Sequence, residues 1–364
     1  MLQFSHILIQ NKIKYKPLII GLACLFGELV AFSQEKVSIQ LKKITFEDFN
    51  LPKSQVIDSN TNAVILADLG STFFVGSKNH NWVSAVIRAY TRIKIIKQSA
   101  LDLATVKIPL HETSNGIDIL DSLQASAYNV ESGRLVETKL NLNEVFENKI
   151  NRYTIEKRFS LAAVKEGSII EYSYQITSPN YQILPSWRFQ HFEYPCLHSE
   201  YEIIIPNLLS YHIVYYGKDP FLLNESEKMR NQYYKMATVN VKTEATRHRW
   251  VMKELPPFEG ENFINTPNDC LDKIEFHLAQ SYNGENIQNY SSSWKNTTHE
   301  LLQRDDFGYA IGIEKSSFLL KDVKKLVSDG ENLLDASKSI YNYVRDNFTC
   351  TSRDYITVQS SLYD

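Results

Sequence analysis

Ser168-Ile169-Ile170-Glu171-Tyr172-Ser173-Tyr174-Gln175-Ile176 reads with a period of two. Ile170, Tyr172, Tyr174 and Ile176 fall on one face, and Glu171, Ser173 and Gln175 on the other, as in a strand with one dry side. The pattern recurs along the chain. Tyr201, Ile203 and Ile205 alternate with Glu200 and Glu202, and Val239 and Val241 with Asn240, Lys242 and Glu244. Ile274, Phe276 and Leu278 alternate with Lys273, Glu275 and His277. One-sided alternation from Asn50 to about Ala279 is the mark of antiparallel sheets with one wet face. Glu131-Ser132-Gly133 between the runs Leu123–Tyr128 and Arg134–Leu140 predicts a hairpin. Pro179, Pro185, Pro195, Pro206 and Pro220 mark strand ends or edges. The expected fold is mainly β, an antiparallel two-sheet sandwich over residues 34–280.

Beyond it the period changes. Residues 281–293 (SYNGENIQNYSSS) are rich in Asn and Ser and read as a linker or long surface loop. Asp335 to Phe348 carries Ala336, Ile340, Tyr343, Val344 and Asn347 at helical spacing, with Ser328 or Asp329 as the expected N-cap. Shorter helical runs fit Trp294–Leu302 and Leu320–Val327. Residues 294–364 therefore read as the helical start of an α+β domain.

The N-terminus reads as an export signal over residues 1–33. Lys12, Lys14 and Lys16 form a basic region, Pro17 to Phe26 an apolar core, and Ala31-Phe32-Ser33 a small-residue cleavage site before Gln34. The apolar run is shorter than the roughly 20 residues a spanning helix needs. Lipidation would use Cys24, but Gly21 stands where such signals carry Leu. The expected location is exported, periplasmic or outer-surface, with no transmembrane segment after cleavage.

Removing residues 1–33 leaves 36 basic and 41 acidic side chains, a net charge of −5. A mildly acidic chain without a basic cluster argues against nucleic acid. Cys196, Cys270 and Cys350 then remain, too widely spaced for a CxxC motif or a disulfide scaffold.

Few residues suggest chemistry. His191, Cys196 and His198, with Glu193 and Glu200, have metal-binding types, but their spacing on a Pro-broken loop fits no familiar zinc site. In Arg247-His248-Arg249-Trp250, alternation places the arginines on one strand face and His248 and Trp250 on the other. Trp187, Arg188, Tyr194 and Trp250 are the candidate ligand contacts, through aromatic stacking or cation–π contact with a glycan. Asp305-Asp306, an adjacent acidic pair, is poorly placed for glycoside hydrolysis. Glycine-rich phosphate loops and a GxSxG elbow are absent from the sequence. No cofactor and no metal site is expected.

Several segments in order carry a resemblance: Asp58-Ser59-Asn60-Thr61-Asn62-Ala63-Val64-Ile65-Leu66, Arg92-Ile93-Lys94-Ile95-Ile96, Ala125-Ser126-Ala127-Tyr128-Asn129 with Gly133, Val164 to Tyr172, and Trp187-Arg188-Phe189-Gln190. The series resembles the uncharacterised N-terminal domain that precedes transglutaminase-like domains in secreted bacterial proteins. Ile340-Tyr341-Asn342-Tyr343-Val344-Arg345-Asp346-Asn347-Phe348 looks like the opening helix of such a core. The resemblance implies a Cys-His-Asp triad, with the thiolate formed by the His and the imidazole oriented by the acid. That triad would lie beyond Asp364. Cys350 stands just past the end of a helix, at a position that is usually aromatic in the relatives, and reads as a packing substitution. Three functions follow: an exported non-catalytic accessory module partnering its own downstream transglutaminase-like domain; a thiol acyl-transferase or peptidase with its triad further on; or a surface module binding glycan or an envelope protein.

Overall fold

The computed structural model describes residues 43–77, 82–113, 115–151, 153–258, 266–283, 286–290, 294–303, 320–328 and 330–348. The export signal, Cys24, Asp305-Asp306, Asp329 and Cys350 lie outside the described residues.

The chain is mainly β, with sixteen strands among the described residues. They are β1 (Ala63–Gly76), β2 (Val83–Ile95), β3 (Thr105–Thr113), β4 (Gly116–Ile117), β5 (Ile119–Glu131), β6 (Arg134–Lys139), β7 (Phe146–Asn151) and β8 (Thr154–Ser160). There follow β9 (Ile169–Ser178), β10 (Trp187–Arg188), β11 (Cys196–Pro206), β12 (Leu209–Tyr216), β13 (Leu223–Lys235), β14 (Asn240–Leu255), β15 (Lys273–Asn283) and β16 (Asn286–Asn289). Three described α-helices come last: α1 (Trp294–Gln303), α2 (Leu320–Leu326) and α3 (Leu333–Asn347).

The strands form three sheets rather than the expected two. The large sheet has eight strands in the order β13-β14-β11-β1-β2-β9-β5-β6. The second pairs β10, β15 and β12, with β16 also on β15, and the third runs β4-β3-β8-β7. Every described strand pair is antiparallel except β1 and β11, which run parallel from Ile65 opposite Cys196 to Phe73 opposite Ile204. A sequence-local reading misses this pair because its strands are more than a hundred residues apart and each carries the same one-sided alternation.

One hydrophobic cluster joins all three sheets. Ile65, Ile93, Ile170 and Ala127 come from the large sheet, Ile108 and Phe159 from β3 and β8, and Ile274 and Phe276 from β15. The reading of β9 holds: Ile170 and Ile176 are buried, and Tyr172 and Tyr174 pack against the cluster. So does that of β11, where Tyr201, Ile203 and Ile205 are buried. In β14, Val241 packs against the core but Val239 is exposed before the strand begins. Lys273, placed on a wet face by alternation, is fully covered; its Nζ donates to Glu275 at 2.6 Å and lies 4.6 Å from the Tyr216 ring centroid.

Part of the expected linker is strand. β15 continues to Asn283 and pairs with β16, Tyr282 opposite Ile287. α3 begins earlier than expected and is capped by Asn332, not by Ser328 or Asp329, its side chain accepting from the N–H groups of Leu334 and Asp335 at 3.1 Å each. No described helix is long and apolar enough to cross a membrane.

Candidate functional site

Cross-strand neighbours share a face, so the registers spell out rows of side chains. One row on the inner face of the large sheet runs Leu123, Tyr174, Ala89, Gly70, Tyr201, Trp250. Trp187 of β10 stacks on Tyr201 at 5.1 Å between centroids, and Tyr201 is stacked on Trp250 at 6.5 Å. Gly70 makes this possible, since a Cβ there would overlap the Trp187 ring. The Trp187 indole N–H donates to Ser199 Oγ at 3.2 Å.

The adjacent row sets Ser199, Asp68, Thr91 and Tyr172 between Met252 and Ala125. Asp68 is 8% exposed. Its Oδ1 accepts from Thr91 Oγ1 at 2.9 Å and its Oδ2 from His191 Nε2 at 3.0 Å. A carboxylate only accepts, so this contact places the imidazole proton on Nε2. Burial, and then the charge of Asp68, pushes the Tyr174 phenol up to about 12 and the Tyr172 phenol higher still. The same causes raise the thiol of Cys196, which is fully buried, well above its ordinary value.

Asp68 is thus bonded to His191 and acts on Cys196 through its charge, and the three do not form a catalytic set. A nucleophilic thiol needs a lowered pKa and access to substrate, and Cys196 has neither. His191 is bound to the carboxylate, and its segment is fixed on several sides. Phe189 N–H donates to the Asp272 carbonyl at 2.8 Å, Phe258 N–H to the His191 carbonyl at 2.9 Å, and Gln190 Nε2 to the Pro256 carbonyl at 3.1 Å. The cluster clamps the segment after β10 onto β1.

The outer face carries charge. Arg249 Nε donates to Glu200 Oε1 at 2.6 Å and Arg247 Nε to Glu202 Oε2 at 2.7 Å, with Glu227 3.5 Å from Arg247 and His198 3.2 Å from Glu200. His198 and Arg249 hold the Glu200 carboxyl down at about 2. Arg92 pairs with Glu171 at 2.9 Å. Within each of these pairs the charges neutralise one another.

Of the four candidate ligand contacts, the structure brings Trp187 and Trp250 together through Tyr201, in the interior. Arg188 is exposed and Tyr194 half-buried, packed against the core. The arginines of Arg247-His248-Arg249-Trp250 do face the opposite side from His248 and Trp250, whose rings stack at 5.6 Å. His191, Cys196 and His198 do not converge, and no group of three or more metal-ligating side chains occurs among the described residues. Asp68 escaped the sequence reading. Its only signal was an acid set among apolar residues in Ala63-Val64-Ile65-Leu66-Ala67-Asp68-Leu69, with its partner His191 far along the chain.

Residues 84–259 match DUF3857, a domain of unknown function with a solved structure. The matched region runs from β2 past the end of β14 and leaves out β1, which lies at the centre of the large sheet. No curated protein matches the sequence. Among solved structures, a proposed protease from Parabacteroides distasonis ATCC 8503 superposes with a TM-score of 0.51 at 12% identity, over 79% of this chain and 51% of its own. At that identity the likeness concerns the fold alone. The chain spans about half the length of that protein.

Proposed function

We propose that this chain is an exported β module that positions a downstream transglutaminase-like domain and does no chemistry itself. The observation that carries the reading is the state of the inner polar cluster. The Cys196 thiol, buried and within the field of Asp68, is sealed and its pKa is raised, and the His191 imidazole is committed to the Asp68 carboxylate instead of to the thiol. The likeness to a proposed protease over half of that protein's length supports a module that accompanies catalysis elsewhere in a longer chain.

The test is labelling of the purified folded chain with a thiol-directed electrophile across pH, with peptidase and acyl-transfer assays alongside. Cys196 should stay unlabelled until the protein unfolds, and no turnover should be seen. Turnover abolished by Cys196→Ser in a protein that still folds would overturn the reading. Export predicts a secreted form whose N-terminus is Gln34; a mature protein retaining Lys12 to Lys16, or beginning at Cys24, would remove that part. The second reading, a thiol acyl-transferase or peptidase, also draws support from the proposed protease. It requires a Cys-His-Asp set outside the described residues, and turnover lost with a cysteine other than Cys196 would favour it.

A further inference from the structure

A groove of about 440 Å³ runs along the edge of β15, between Glu275–Leu278 and the segment Gln182–Ser186. It exists because β15 has an interrupted neighbour on that side. β10 pairs with Lys273 and Ile274, Ile183 makes a single bridge to His277, and β16 pairs only from Gln280 onward. Pro185, which has no N–H to give, stands where a continuous strand would run. Phe276, Leu278 and Leu184 are buried at the groove, Tyr290 closes one end, and Ile183 stands 76% exposed on its wall. The size is that of sites that hold a ligand group.

Tyr290 is also where the chain leaves the β part. Residues 291–293 separate it from Trp294, the first residue of α1 and, at 89%, the most exposed large apolar side chain among the described residues. Four peptide steps of at most about 3.6 Å keep the two Cα atoms within roughly 14 Å. A side chain on so short a tether is presented to the groove at high effective concentration. Trp294 shares a helical stripe with Thr297 and Leu301, both half-buried.

We propose that the groove is the seat of the Trp294 indole, and that this contact fixes the helical segment to the β module. The proposal rests on the reading of the β part as a positioning module and supplies its surface. In the structure described here the indole stands outside the groove, so the contact is a second, docked arrangement. An aromatic side chain from a partner protein is the alternative occupant.

The experiment is acrylamide quenching of tryptophan emission in the full chain, comparing the parent with Trp294→Phe to isolate the Trp294 contribution. Docking predicts a blue-shifted Trp294 component, quenched several-fold less than free indole in the parent. The same component should be quenched as freely as indole in Ile183→Glu. Ile183 is mostly exposed, so that variant should keep the interior emission of Trp187 and Trp250. As a second measurement, Ile183→Cys with Lys295→Cys should cross-link under mild oxidation. Full quenching of Trp294 in the parent, with no cross-link, would overturn the proposal. If it also left thiol labelling and turnover as expected, the function proposed above would stand without it.

Discussion

Tyr172 and Ser173 are sequence neighbours in opposite surroundings. The Tyr172 ring packs against the hydrophobic cluster beside Asp68 and Thr91, while Ser173 faces the outer side between Tyr90 and Gln124. Tyr172→Ala removes a large packed ring and should cost about 3 kcal/mol in urea unfolding, against about 0.5 kcal/mol or less for Ser173→Ala. Equal losses would show that the register of β9 is wrong. Glu200 makes a second prediction, in pH. Its carboxyl is held at about 2 by His198 and Arg249, below the ordinary 4.5. A depressed carboxyl stabilises the fold above its unfolded value, and that stabilisation is lost as pH falls from about 4.5 towards 2. Its side chain is 24% exposed, so after screening the effect should be on the order of 1–2 kcal/mol. Glu200→Gln should lower stability at pH 7 and flatten the acid limb of the stability curve. An unchanged acid limb would show that the Glu200–Arg249 contact contributes nothing.

At the scale of elements, the hairpin of β5 and β6 is the clearest case of local sequence dictating structure. Glu131 pairs directly with Arg134, leaving a two-residue loop in which Ser132 and Gly133 take φ of 48° and 72°. Positive φ at both positions gives the turn whose twist matches the flanking strands. Nothing lies within 4 Å of a Cβ built at Gly133, so a substitution there tests backbone conformation alone. Gly133→Val should cost about 1–2 kcal/mol, and Ser132→Asn should be neutral or slightly stabilising. A neutral Gly133→Val, by thermal melt, would mean that the turn is not held in this conformation. This hairpin, the face of β9 and the start of α1 were legible because each depends on residues a few positions apart. The parallel pairing of β1 with β11 and the burial of Lys273 were not, since each depends on what lies across the sheet. The same holds for the site: the split of Arg247 and Arg249 from His248 and Trp250 followed from alternation, whereas Asp68 and His191 meet only through the fold.

For the whole molecule, the distribution of buried apolar side chains sets how it should unfold. The hydrophobic cluster draws on all three sheets, and β1, outside the region matching DUF3857, contributes Ala63, Ile65 and Phe74 to it. Sheets that share one core cannot lose it separately, so the β part should melt in a single step. The helices differ. Ala336 is the one buried apolar side chain among their described residues, while Leu333, Leu334, Tyr341 and Val344 are exposed. Helices of 7 to 15 residues with so little packing are marginal, because helix stability in proteins comes mainly from a buried apolar face. Even with Trp294 seated, the contact would hold only the first turn of α1. The helical signal at 222 nm should therefore be lost at lower urea than the emission of Trp187 and Trp250, which report the stack in the β core. Deleting residues 320–364 should leave the second transition where it was. If the two signals instead fall together, and the deletion lowers the midpoint of the β part, then α2 and α3 pack on the sheets as part of one cooperative unit.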